Sequence, residues 1–382
     1  MDAVPNRDLE VIEGNKARWS CADNRRYSFH NLHRIARYTL SFRSARTMRL
    51  EKRMDLGMAE LDLVRQITRT PWFSGMVVIR GQHVLYERYA RDFHKDIPHS
   101  IQSITKSMTN LIIGRLVESH ALDLSLPVSH FIPEMGTGYA DATLQQVLNM
   151  DVLNEYSEDF ADPAATYYRH EEAMGWRLPA DLHHEDTQRR FILGLKSDGT
   201  KNCGESVQYK DANTDVLCWV AERVSGRPLR AFLADIVDAS GLEGALHITT
   251  DREGFPTMDG GACLTVRDLA RYFSIFVRRG RGISGELVGS REFIERTAET
   301  GISMKYPHAD LFYSNHLMVL GRSIGHAGWA GQFVMGNLDT GTVAAFLSVT
   351  EDVHAIDPDY LGPVIRALEA VTGPKFGTEY VA

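Results

Sequence analysis

Ser103-Ile104-Thr105-Lys106-Ser107-Met108, followed at helical spacing by Leu111, Ile112, Leu116 and Val117, is the stretch that decides how this chain folds. A helix that starts here puts residues 103 and 106 on one face, so a hydroxyl and an amine come within reach of each other. The free N–H groups of a helix start favour negative charge developing on Ser103, and a neighbouring amine can take the proton. For Lys106 to be that base, burial or a nearby cation must bring its pKa down from about 10.4 toward neutrality. Taken alone the Ser-x-x-Lys spacing is weak, because about one match is expected by chance in a chain of this length. The competing structural explanation is a helix cap followed by a surface lysine.

Working outward, Gly75-Met76-Val77-Val78-Ile79 and Val84 to Tyr89 flank the turn Arg80-Gly81-Gln82 and predict two antiparallel strands. Further upstream, Met54, Leu56, Met58, Leu61, Leu63 and Val64 predict a helix over Leu50 to Ile67 that packs on the sheet. Downstream, residues 120 to 300 mix helices and loops, with helices over Thr214 to Val224, closed by Ser225-Gly226, and over Val266 to Arg278, closed by Arg279-Gly280. Strand signals return in Leu311 to Leu320, Phe333 to Leu338 and Thr342 to Val349, before a last helix at Tyr360 to Val371. The expectation is an α+β fold, an antiparallel sheet flanked by helices with a mostly helical second domain and the active site between them. Residues 1–70 then form an N-terminal extension and a helix on the sheet, residues 71–102 and 300–382 the sheet domain, and residues 103–299 the helical domain.

The 382 residues exceed what one hydrophobic core usually serves, which agrees with two interlocked lobes. Hydrophobic residues at 43% and charged residues at 24% suit a globular enzyme, and no run approaches the roughly 20 apolar residues that cross a bilayer, so no membrane partner is expected. A formal net charge of -8 argues against nucleic acid as a partner, despite the arginines between Arg43 and Arg53. Cys21, Cys203, Cys218 and Cys263 lack CxxC spacing, and Met1 to Arg7 carries no apolar leader core. These features predict a cytoplasmic protein with unpaired cysteines.

Two further motifs bear on chemistry. Tyr209-Lys210-Asp211-Ala212-Asn213 stands directly before an apolar helix, where a tyrosine near a lysine can relay protons. His326-Ala327-Gly328, with Gly325 and Gly331 around it, predicts a strand on which a substrate carbonyl can approach backbone N–H donors. In order and spacing the three motifs together resemble the class C β-lactamases, the penicillin-binding DD-peptidases and their esterase relatives. The likeness runs from about residue 72 to 350. It sharpens toward the 6-aminohexanoate-dimer hydrolases in Ser103 to Ser107, Glu155 to Pro163, Gly175-Trp176, Ala212 to Leu217 with Glu222-Arg223, Gly260-Gly261 and Arg267 to Arg271. That resemblance implies a serine hydrolase acting on a small amide or ester through an acyl-enzyme. Lys106 and Tyr209 would deprotonate Ser103, the N–H groups of Ser103 and Trp329 would hold the oxyanion, and Tyr209 would then activate water. It also implies Tyr156 as a lid over the bound amide, with Asp211, Asn213, His326 and Gly328 around the substrate. No cofactor and no metal enter such a scheme, and the oligomeric state is left open, a homodimer being compatible with it.

The chain departs from its resemblance at two points. Asp211 stands where lactamases carry Asn and the dimer hydrolases Ser, and a carboxylate there either holds Lys106 protonated or orients it. His326 replaces the lysine of the lactamase Lys-Thr-Gly, so good β-lactamase activity is not expected. Three other readings compete. Gly321-Arg322-Ser323-Ile324-Gly325 matches the GxSxG elbow of α/β-hydrolases, with Asp339 and His354 following in triad order. The runs His183-His184-Glu185-Asp186 and His170-Glu171-Glu172 gather ligand types for a metal hydrolase, although neither has HExxH spacing. A catalytically weak recognition protein that keeps only the fold is the third. Finally, Tyr156, Phe160, Tyr167, Tyr168, Trp176 and Trp329 predict an apolar pocket, and with it a preference for medium-length apolar acyl groups, if at least three face the cleft.

Overall fold

The computed structural model describes residues 18–160, 162–179, 185–199, 204, 206–305, 310–352 and 358–376. Its strands, in chain order, are β1 (Thr39–Arg43), β2 (Glu51–Lys52), β3 (Phe73–Arg80), β4 (His83–Tyr89), β5 (His99–Ser100), β6 (Ala245–Thr249) and β7 (Ala262–Leu264). Then follow β8 (Ile302–Ser303), β9 (Phe312–Ser314), β10 (Leu317–Leu320), β11 (Ser323–Gly328), β12 (Gln332–Asn337) and β13 (Thr342–Ser348). Six helices matter for the site: α1 (Ala22–Ile35), α2 (Ser107–Glu118), α3 (Thr166–Ala173), α4 (Ala212–Ser225), α5 (Val266–Val277) and α6 (Pro358–Thr372).

The large sheet runs β2-β4-β3-β13-β12-β11-β10-β9-β8, antiparallel except where two-residue β2 lies parallel to β4. Its central strands are apolar almost throughout because both faces are covered. Val77 and Ile79 of β3 and Val343, Ala345 and Leu347 of β13 share a core with Phe273 and Phe276 of α5. The alternate residues Met76, Val78, Ala344 and Phe346 share a second core with Val364 and Leu368 of α6. The period-2 geometry of a strand thus feeds two cores from one sequence run. Helix α5 begins where Thr265 accepts the Asp268 N–H at 3.1 Å, and α4 ends at Gly226, whose φ of 66° needs no Cβ.

A smaller sheet, β1-β6-β7-β5, carries the turn that bears Ser103. Ile101 N–H donates to Ala262 O at 2.9 Å, and Ala262 N–H donates to Thr105 Oγ1 at 3.2 Å. Ser103 therefore sits on a 3-10 turn, Gln102–Lys106, clamped to β7 and continuing into α2.

Two local expectations are corrected. The single helix expected over Leu50 to Ile67 is a strand, β2, followed by two short helices, Leu56–Glu60 and Asp62–Ile67. Asp55 caps a new start by accepting the Gly57 N–H, and Leu61, at φ -63° and ψ 126°, breaks the helix between the two pieces. Met58 and Val64 face the core while Leu56 is 78% exposed, so the apolar residues never formed one stripe. The strand expected over Leu311 to Leu320 is a hairpin, β9 and β10, turning at Asn315 and His316, which both have positive φ.

Candidate active site

The Ser-x-x-Lys geometry is realised by the tight turn. Lys106 Nζ donates to Ser103 Oγ at 3.0 Å, to Asp211 Oδ1 at 2.5 Å and to the backbone carbonyl of Asp259 at 2.5 Å. The lysine side chain is fully buried, and its three donors are all in use. Burial alone would lower its pKa, but the negative charge gathered around it, Asp211 foremost, makes the net shift upward. Lys106 rests as an ammonium.

Tyr209, which precedes α4, places its ring 5.0 Å from Lys106 Nζ. Its hydroxyl is buried without a hydrogen bond of normal geometry. Burial, followed by the Asp211 charge, drives its pKa well above the ordinary phenol value against the hydrogen-bonding pull of Ser103. Residue 102 adds local strain: Gln102 has φ 45°, a left-handed conformation for a residue with a side chain, immediately before the nucleophile.

β11 supplies the opposite wall. β10 pairs with it only as far as Gly325, so Ala327 and Gly328 run free on that edge beside the Ser103 turn. A Cβ on Gly328 would lie 2.7 Å from Ile101 O and 2.9 Å from Gln102 Cβ, which is why glycine stands there. Trp329 follows directly. Its ring is held by the Arg25 guanidinium at 4.4 Å and by Trp19 and Phe29, both at 5.9 Å. Arg25 in turn donates to the carbonyls of Thr350 and Asp352, so the N-terminal segment is built into the wall of the site.

Ser103, Tyr209, Asp211, Gly328 and Trp329 line one cavity of about 420 Å³, a size proper to small-molecule sites. Of the six aromatics singled out in the sequence, Phe160, Tyr167, Trp176 and Trp329 line it. Its lining divides into a polar part around the serine and an apolar arm of Met304, Met318, Ala327, Phe333, Leu361 and Ile365.

Other sequence-predicted residues are placed elsewhere. Tyr156, expected as a lid, is 3% exposed and its hydroxyl bonds to His170 Nδ1 at 3.0 Å, so it props up the core behind the cavity. Asn213 is buried, accepting from Tyr139 Oη at 2.7 Å and donating to Val147 O at 3.2 Å, which ties α4 to its neighbours and leaves it no reach to substrate. His326 points to the other side of β11 from Ala327, its Nδ1 bonding to Ala327 O and its Nε2 lying 3.3 Å from Tyr313 Oη. Burial, then the Lys106 charge, lowers its pKa to about 3, so it is neutral and offers no cation.

The competing site readings are placed as clearly. Ser323 opens a strand where an elbow needs a helix, and its buried hydroxyl accepts from Asn337 Nδ2 at 3.1 Å. Asp339 pairs with Arg322, and His354 lies outside the described residues. His183 and His184 also lie outside them, while Glu185 pairs with Arg37 and Glu171 with Arg177. His170 does gather with Asp215 and Asp259, ligand atoms within 4.8 Å, but its Nε2 is spent on Asp215 at 2.8 Å and its Nδ1 on Tyr156. Although burial opposes its charge, the bond to Asp215 raises the His170 pKa to about 9, the signature of an ion pair.

Sequence reasoning missed Glu158, which lines the cavity beside Asp211. Its Oε1 accepts the Asp211 N–H at 2.5 Å. The signal lay within Glu155 to Pro163, a stretch singled out for its resemblance and not for this carboxyl. It also missed Asp259, whose contribution to Lys106 is a backbone carbonyl and leaves no trace in residue type.

A beta-lactamase family model matches residues 61–360. The chain belongs to the beta-lactamase family. Its α+β fold is that of this family and of the penicillin-binding proteins, and its members are hydrolases. A 6-aminohexanoate-dimer hydrolase of Paenarthrobacter ureafaciens is 31% identical over 343 residues, covering 84% of each chain. Among solved structures, a candidate 6-aminohexanoate-dimer hydrolase from Bacillus anthracis superposes with a TM-score of 0.78 at 20% identity, over 92% of this chain and 96% of the other. A D-stereospecific amidohydrolase from Streptomyces superposes at 0.60 and 19% identity, over 84% of this chain and 100% of the other. At those identities the two structures speak to the fold alone. Among the described residues, no helix is long and apolar enough to cross a membrane.

Proposed function

We propose that this chain is a serine hydrolase that opens an amide or ester bond through a covalent acyl-enzyme on Ser103. The observation that carries this reading is the Lys106 ammonium, 3.0 Å from the Ser103 hydroxyl in a substrate-sized cavity. Because that ammonium already donates three bonds, it accepts the serine proton only as it gives one away. Asp211 Oδ1, at 2.5 Å, is the acceptor in place. The proton then passes from Ser103 through Lys106 to Asp211 while Ser103 Oγ attacks the carbonyl. What looked in the sequence like an obstacle to the base becomes its proton sink.

The N–H groups of Ser103 and Trp329 face the developing oxyanion in this scheme. A donor of that kind is typically worth about 2.7–4 kcal/mol. The curated relative acts, by its name, on the 6-aminohexanoate dimer, which favours a linear amide or the corresponding ester as substrate here.

Intact-protein mass spectrometry after a fluorophosphonate or p-nitrophenyl ester pulse tests the reading on wild type, Ser103→Ala and Ser323→Ala. The expected result is one adduct on wild type and Ser323→Ala and none on Ser103→Ala. An adduct that survives Ser103→Ala overturns the assignment.

A further inference from the structure

One wall of the cavity is backed by a buried cation. Arg25, on α1, is 1% exposed, and its guanidinium lies 4.4 Å from the centroid of the Trp329 ring. Its Nη1 donates to Thr350 O at 2.6 Å and to Asp352 O at 2.9 Å, and its Nε donates to Ser20 O at 3.1 Å. Taking a full charge out of water is unfavourable, and apolar residues of similar volume pack such a wall at least as well. The charge therefore calls for a role beyond filling space.

Two of its contacts lead to the turn that joins β11 to β12. Thr350, whose carbonyl takes an Arg25 proton, gives its own N–H to Ala330 O at 3.0 Å. Ala330 has φ 66°, a left-handed conformation for a residue with a Cβ, so the turn keeps its shape only while its neighbours hold it. The ring contact reaches the same turn, because Trp329 stands between Ala330 and the Gly328 that abuts the Ser103 turn. The Trp329 N–H itself has no acceptor among the described residues. Trp19 supports the wall from the same segment, packing edge-on against Trp329 at 5.9 Å and against Trp176 at 5.0 Å, two rings that line the cavity. Arg25 and Trp19 both precede residue 61, where the family match begins, so this clamp lies outside the matched stretch.

We propose that Arg25 is a positioning residue for the reaction: by holding the Trp329 ring and, through Thr350, the Ala330 backbone, it fixes the Trp329 N–H where the oxyanion forms. This rests on the Ser103 acyl-enzyme reading. Arg25 touches no reacting atom and acts through the turn alone. An oxyanion donor works only within a narrow range of distance from the charge it meets, and a misplacement of about 1 Å costs about 100-fold in rate.

A guanidinium suits this task. Its planar fork reaches several carbonyls at once while it sits against an indole, whereas a lysine keeps the charge and loses the fork.

Arg25→Met and Arg25→Lys test the proposal through kcat and KM for a p-nitrophenyl ester and for its thionoester. The sulfur of the thionoester is larger and a weaker acceptor, so it gains little from oxyanion donors. In Arg25→Met the ester kcat should fall about 100-fold while KM changes by less than about threefold. The ratio of ester to thionoester kcat should shrink by most of that loss, because the variant forfeits what only the oxygen can use. Arg25→Lys should lie between wild type and Arg25→Met in both quantities. Circular dichroism at the assay temperature reports folding, and if Arg25→Met does not fold, Arg25→Lys carries the same comparison. An unchanged kcat, or a kcat loss that leaves the ester-to-thionoester ratio at its wild-type value, overturns the proposal, since a general loosening of the wall would slow both substrates alike. Absence of the p-nitrophenyl ester adduct from wild type would instead sink the Ser103 reading itself, so the two failures are distinguishable.

Discussion

Replacing Ala327 by phenylalanine should flatten the response of the enzyme to chain length. Along β11, Ser323, Gly325 and Ala327 face the α6 side and Ile324, His326 and Gly328 the other, so the Ala327 methyl stands with the apolar arm, one residue from the Gly328 that abuts the Ser103 turn. Phe333, its partner across the ladder, and Ile365 of α6 line the arm beyond it. A chain that enters the arm gains about 0.8 kcal/mol per methylene removed from water, or about fourfold in kcat/KM. Four methylenes, from acetyl to hexanoyl, amount to about 3 kcal/mol, on the order of 200-fold. A phenyl ring on residue 327 would occupy that path. The assay is kcat/KM for two matched ester series, one lengthened in the acyl group and one in the alcohol. In wild type one series should climb at about this slope and then level off. In Ala327→Phe the climb should vanish, with acetyl esters losing least. If both wild-type series are flat, or the slope survives in Ala327→Phe, the apolar arm does not hold substrate.

Three further outcomes are expected. Gly328→Ala would push a methyl to within 2.7 Å of Ile101 O, and shifting the Ser103 turn should cut kcat for p-nitrophenyl ester hydrolysis about 100-fold. Arg25→Ala would strand the carbonyls of Thr350 and Asp352 and uncover the Trp329 ring, so chemical denaturation should show a loss of about 2–4 kcal/mol. Stability should peak near neutral to slightly acidic pH. His30 and His33, lowered by burial to about 4, are protonated in the unfolded chain before the folded one, so stability rises as pH climbs from about 4 to 6.5. Glu171, raised by burial to about 7, Glu158 at about 8 and His170 at about 9 hold their protons longer in the folded chain, so stability falls as pH rises through those values. Melting curves from pH 4 to 10 check this, and a Tm still rising at pH 9 would contradict it.

Local sequence determined a good deal here. The hairpin β3–β4 was legible because Gly81 and alternating apolar residues carry their own geometry. The ends of α4 and α5 were legible because Gly226 and Thr265 act within a few residues of chain. Ser103 and Lys106 were legible as a pair because three residues of tight turn bring them together whatever surrounds them. Tyr209 and Trp329 came from motif order and resemblance, and the fold gathered them around one cavity.

What the tertiary structure alone decided is the electrical state of that site and the direction of its side chains. Lys106 is an ammonium because Asp211 and the Asp259 carbonyl, over 100 residues away in the chain, close on it in a buried space. Glu158 has a raised pKa because burial and the Asp211 charge disfavour its carboxylate, and neither acts until the chain packs. His326 and Tyr156 have the right chemistry for a substrate but turn into the core, toward Tyr313 and His170. The sequence names the residue types able to do chemistry. Charge state depends on desolvation and on through-space neighbours, and both are properties of the packed interior that no local pattern encodes.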